Sequence, residues 1–171
     1  MPAEASAYQL AQVNIGRLIA PADTPAVAGF FAELERINAL AEASPGFVWR
    51  LTGGGNDATD LRPTPDPKVI VNLSVWADAE ALFAFVYRSA HTAVMAQRRG
   101  WFEPFAGAYQ ALWWVPAGTR PTIEDALHRL WLIDQFGPSA RAFTFKARFP
   151  APGLEGPPID HHPEPWCVGT A

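Results

Sequence analysis

The chain has 171 residues, 49% of them hydrophobic and 18% charged, with 13 basic and 17 acidic side chains and a formal charge of −4. That length suits one ordinary domain able to bury its own core, and the apolar content excludes disorder along the whole chain. Only two lysines occur, and only Arg98 and Arg99 are adjacent basic residues, which excludes a phosphate-tracking face and a basic membrane-surface helix. A single cysteine, Cys167, leaves neither an intramolecular disulfide nor a cysteine zinc site. The N-terminal MPAEASAYQ lacks the basic and apolar regions of a secretory signal, and no 18-residue apolar run is present, so a soluble cytoplasmic protein is expected.

Tyr8–Ile15 alternates like a strand. Thr24 reads as an N-cap, with Pro25 at the first helical position. Val27, Phe30, Phe31, Leu34, Ile37 and Ala41 then share one face at helical spacing, and Ser44-Pro45-Gly46 ends the helix. Phe47–Thr52 and Val69–Trp76 predict two strands around a Gly/Asp/Pro-rich connection. Asp78–Tyr87 predicts a helix, continued or broken near Ser89–Arg99. Tyr109–Val115 is a fourth strand. Thr122 caps a further helix, with Glu124 and Asp125 in its first turn and Ile123, Leu127, Leu130 and Trp131 as its apolar side. Phe143–Phe149 predicts a final strand. The expected division is an extension at 1–7, a folded domain at 8–150 and a Pro-rich tail at 151–171.

The order β-α-β-β-α-β matches the split ferredoxin-like arrangement. A doubly wound parallel sheet is the alternative, but the second and third strands read as a hairpin pair, and no Gly-rich strand-to-helix loop is present. The third strand has two apolar-rich faces: Val69, Val71, Leu73 and Val75 on one, Ile70, Asn72, Ser74 and Trp76 on the other. An antiparallel sheet with one face in water is more polar on that side, so the second face requires a cover, which a partner subunit can provide.

The segments YQLAQVNIGRL, FFAELERINALAEASPGFVWRL, VNLSVWADAEALFAFVYRSAH, RRGWFEP, LWWVPAGTRPTIEDAL and AFTFKARFP together resemble the DUF3291 family over about Tyr8 to Pro150. That resemblance implies an α+β, ferredoxin-like antiparallel sheet with helices on one face, forming a dimeric α/β barrel of the superfamily that includes the antibiotic biosynthesis monooxygenases. It also implies a homodimer and a small-molecule cavity between sheet and helices. It does not imply one reaction, because a fold hosts many.

Several residues are candidates for chemistry. His91 forms a helical stripe with Tyr87, Val94 and Arg98; it is either an ordinary paired helix histidine or a cavity general acid or base. The resemblance adds a haem reading: haem-degrading members of the superfamily carry an axial histidine on their second helix, about one turn further along than His91. Asn38 interrupts the apolar face of the first helix, and Asn14 and Asn72 interrupt strands; a buried amide without partners is costly, so each bonds structurally or faces a ligand. By the resemblance, Asn14 lies near the place where some cofactor-free monooxygenases hold substrate. Arg50 either clamps an anion or pairs at the sheet edge. Trp49, Trp76, Trp101, Trp113 and Trp114 fill core or interface, or line a site for a planar ligand.

The leading reading makes His91, Asn14 and Arg50 catalytic, with Asn38, Trp49, Asn72, Tyr87, Trp101 and Trp113 binding a hydrophobic or aromatic compound. It needs no cofactor. Haem chemistry on His91 and a non-catalytic ligand-binding or structural dimer are the alternatives. No metal site is expected apart from that haem. His128 reads as half of a solvated pair with Glu124, and His161-His162 sit in the Pro-rich tail.

Overall fold

The computed structural model describes residues 6–89 and 91–154, except for the side chain of His91. Four strands form one antiparallel sheet: β1 (Tyr8–Arg17), β2 (Phe47–Arg50), β3 (Val69–Trp76) and β4 (Gln110–Pro116), in the order β2-β3-β1-β4. With α1 (Ala28–Ala43) after β1 and α2 (Ala79–Arg88) after β3, this is the ferredoxin-like arrangement. The chain breaks after α2 into a short α3 (His91–Ala96) and a 3-10 turn at Arg98–Gly100. A last helix, α4 (Ile123–Phe136), follows β4.

Strand alternation divides the interior. Ala11, Val13, Val71, Leu73, Val75, Ala111 and Trp113 point to one face, where they cluster with Ala126 and Leu130 of α4. The opposite face carries Leu10, Trp76 and Leu112, packed with Ala41 of α1 and Leu82, Phe83, Phe85 and Val86 of α2. The helices of the split unit therefore share one face, while α4, the addition, lies on the other. With partly buried Leu51, Leu61 and Phe105, α4 closes the second face within one chain: Val13 is 0% and Leu73 1% exposed. The second apolar face of the sheet is thus covered within the chain.

Local chemistry explains most boundaries. Thr122 caps α4, as read from sequence, and the structure shows that Asp125 answers it in a reciprocal capping box. Asp78 caps α2 through the Ala81 N–H at 2.8 Å. Gly46, at φ +81°, takes the left-handed turn between α1 and β2, where its carbonyl accepts from Ala77 N–H.

Three expectations are corrected. Thr24 precedes a 3-10 turn at Pro25–Val27, and its hydroxyl donates back to the Pro21 carbonyl at 2.7 Å instead of capping α1. Phe143–Phe149 is no strand. Phe143 makes an isolated bridge to Leu112, and both Phe143 and Phe145 turn inward into the helix-side core. Trp131 is 49% exposed, stacked on His128 at 5.6 Å, because it falls one position beyond the Ala126–Leu130 stripe that faces the sheet. Trp114 gives its indole N–H to the Phe149 carbonyl at 2.8 Å and so ties the segment after α4 to β4.

Candidate functional site

Between the sheet and α1–α3 lies a cavity of about 180 Å³. Its floor is the helix-side face of the strands, where the register sets polar side chains in two rows. Asn14 of β1 stands opposite both Asn72 of β3 and Gln110 of β4. Gln12 stands opposite Ser74, which in turn faces Arg50 of β2. Neighbours across an antiparallel pair are about 5 Å apart, so the rows become a network. Gln12 Nε2 donates to Asn72 Oδ1 at 2.7 Å and Ser74 Oγ at 3.2 Å, and Asn14 Nδ2 donates to Gln12 Oε1 at 2.7 Å. Trp76 Nε1 donates to Ser74 Oγ at 3.0 Å. The network fixes these amides in orientation and leaves further donor and acceptor capacity directed at the cavity.

The roof is apolar. Phe30, Leu34 and Ile37 of α1 stay only partly buried because they overhang the cavity instead of meeting the sheet. Among them, Asn38 is 6% exposed, and its amide makes no hydrogen bond with another described residue. Gln110, 7% exposed on the floor, likewise keeps its side-chain amide unpaired among the described residues. Trp101 and Phe102 close one end, with Phe30 5.1 Å from the Phe102 ring. Gly16 makes room for that ring: a Cβ there would lie 2.7 Å from two of its carbons.

Two arginines reach the cavity. Arg50, its side chain 7% exposed, is neutralised by Glu42 at 2.8 Å and also donates to Asn56 at 3.1 Å. It is the sheet-edge ion pair that the sequence offered as the alternative to an anion clamp. Arg98 stands differently. Its guanidinium lies 5.3 Å from the Phe102 ring centroid and 5.2 Å from that of Tyr109, and burial pushes its pKa down from the ordinary arginine value.

Of the side chains singled out from sequence, Asn14, Asn38, Arg50, Asn72, Trp76 and Trp101 meet around this cavity. Trp49 and Trp113 stand on the opposite face. A bulge between Phe47 and Trp49 puts Phe47 on the cavity side with Arg50 and leaves Trp49 beside Val75. Trp113 alternates away from Leu112 and lies under Arg129 of α4. Tyr87 packs with Phe83 and Phe145 outside the lining. His91 opens α3, whose Val94 and Met95 line the cavity; its side chain lies outside the described set. His161, His162 and Cys167 also fall outside the described residues. Gln12, Ser74, Gln110 and Arg98 are additions from the structure. The available signal for Arg98 was its place in the stripe with Tyr87, His91 and Val94.

Haem does not fit this cavity as formed: about 180 Å³ is little more than the ~150 Å³ that takes a benzene ring, far short of a macrocycle. Among the described residues, no three His, Cys, Asp or Glu side chains converge as metal ligands, and no helix is long and apolar enough to cross a membrane.

The chain is similar to three solved structures. The NE2512 protein of unknown function from Nitrosomonas europaea is 16% identical, with 68% of this chain and 95% of that one covered at a TM-score of 0.42. SnoaB, a cofactor-independent oxygenase from Streptomyces nogalater, is 18% identical, with 67% and 95% covered and a TM-score of 0.44. PA3566 from Pseudomonas aeruginosa is 13% identical, with 68% and 100% covered and a TM-score of 0.46. No curated protein matches the sequence. A family described as a domain of unknown function, DUF3291, matches residues 9–157, and the chain belongs to that family.

Proposed function

We propose that the cavity binds a compact hydrophobic or aromatic molecule and that the protein is a monooxygenase-like enzyme acting on it without a bound cofactor. The observation that carries this reading is the union of an apolar roof with a row of amides across the sheet, Gln110, Asn14 and Asn72, of which Asn14 and Asn72 are held by Gln12. Amide N–H groups held in place beside apolar walls stabilise an oxygen that gains negative charge. A conjugated carbon acid or phenol bound there gives up its proton more readily, and the resulting anion reacts with dioxygen directly. For an activated CH₂ the balance closes without external electrons: CH₂ and O₂ give C=O and H₂O.

Asn14 and Asn38 orient the anion from floor and roof, and His91 moves the proton. Arg50, its charge met by Glu42, shapes the wall and holds substrate against it. The homodimer belongs to the proposal on the family resemblance alone.

Oxygen uptake across a panel of conjugated carbon acids and phenols, with product mass, tests the proposal. The expected product gains one oxygen and loses two hydrogens. Asn14→Ala should keep its near-UV circular dichroism and lose turnover roughly a hundredfold, as for loss of one oxyanion donor. Ligand binding without uptake across the whole panel points instead to a non-catalytic binding protein. Unchanged turnover in His91→Ala removes that residue from the mechanism.

A further inference from the structure

We propose that the cavity's ligand carries a carboxylate and that Arg98 receives it. This inference rests on the cavity being a small-molecule site and names the chemistry of its ligand. Arg98 lies in the 3-10 turn after α3, and one terminal guanidinium nitrogen is 3.6 Å from where a Cβ on Gly16 would sit. That places the cation over the cavity face of β1, in line with Gln12 and Asn14.

Arg17 is matched by Asp66 and Glu103, Arg36 by Glu33, and Arg50, the other arginine of the cavity, by Glu42. Arg98 makes no ion pair and no side-chain hydrogen bond with any described residue; its neighbours are the rings of Phe102 and Tyr109. A partly desolvated cation without a counter-charge is unfavourable in the free protein, and an entering anion relieves that cost. The two rings hold the planar guanidinium, while its N–H edge stays open to a bidentate acceptor.

Charge and size narrow the class further. Asp57 and Glu33 also line the cavity, which disfavours dianions such as phosphate esters. The volume suits about one substituted ring. A planar, conjugated monocarboxylate meets all three conditions, with its ring against Phe30, Trp101 and Phe102 and its carboxylate on Arg98.

Benzoate and its neutral counterpart benzamide are the probes, followed by calorimetry and tryptophan emission. Benzoate should bind at least about tenfold tighter than benzamide. Arg98→Gln should weaken benzoate roughly tenfold or more and leave benzamide unchanged, with Arg98→Lys between. Added salt should weaken benzoate binding alone, a readout in the unaltered protein that holds even if a variant fails to fold. Equal binding of the two probes, or benzoate binding indifferent to both Arg98→Lys and salt, overturns the assignment while the cavity reading stands. Binding of neither probe overturns both.

Discussion

At the scale of single residues, the cavity depends on side chains that are small or polar where a packed core wants neither. Gly16 is the sharpest case. Its missing Cβ admits the Phe102 ring, which closes the cavity and flanks Arg98. Gly16→Ala should push that ring aside and destabilise the fold by about 1–3 kcal/mol, as overpacking does, measured by urea unfolding. A smaller cost would mean that Phe102 moves freely. Asn14, Asn38 and Asn72 were legible in sequence because an amide breaks an apolar period. Gln12, Ser74 and Gln110 were not, since a polar residue on a half-buried strand is ordinary until register shows which polar groups of other strands it meets. Arg98 was legible only as a member of the stripe with Tyr87, His91 and Val94, and nothing local said that this stripe borders a cavity.

At the scale of elements, helix starts and strand faces were the most readable features. In β4, Ala111, Trp113 and Val115 alternate against Gln110 and Leu112, as the pleat of a strand requires. The α4 cap holds as well, and Thr122→Ala should lower the melting temperature in proportion to about 1 kcal/mol, followed by far-UV circular dichroism. The misread elements share one cause. Phe143–Phe149 has the alternation of a strand, yet a strand exists only where a neighbour offers a ladder, and the partner here is a single bridge at Leu112. The bulge in β2 is equally non-local: it moves Phe47 onto the face of Arg50, and the pleat of an isolated FVWR segment predicts the reverse.

At the scale of the molecule, one ion cluster joins three parts distant in sequence. Arg17 at the end of β1 binds Asp66 at 2.7 Å and also Glu103, and Lys68 binds Glu103 at 2.7 Å. These bonds anchor the segment after the Arg98 turn beside the 53–67 loop. Hydrogen bonds from Lys68 and Arg17 hold the Glu103 pKa below the usual carboxylate range, and Arg17 with the Lys68 backbone N–H does the same for Asp66. A depressed carboxylate contributes stability that is fully present above its unfolded pKa, near 4, and lost as pH falls through the lower folded value. The melting temperature should therefore drop as pH falls below about 4. Glu103→Gln should melt lower at neutral pH and show a flatter acid limb. An acid limb identical to that of the unaltered protein would remove Glu103 from the linkage.

The sequence by itself determined the split β-α-β-β-α-β order, the two-faced strands and the amides that interrupt them. Each of these follows from local periodicity and capping chemistry. Tertiary structure decided which amides meet, that α4 covers the far face of the sheet, and that Arg50 is matched while Arg98 is open. Those outcomes depend on register and on contacts between segments such as Gly16 and Phe102, 86 positions apart by their numbers. No local pattern encodes such contacts, because their energy appears only when the sheet is assembled and the helices close over it.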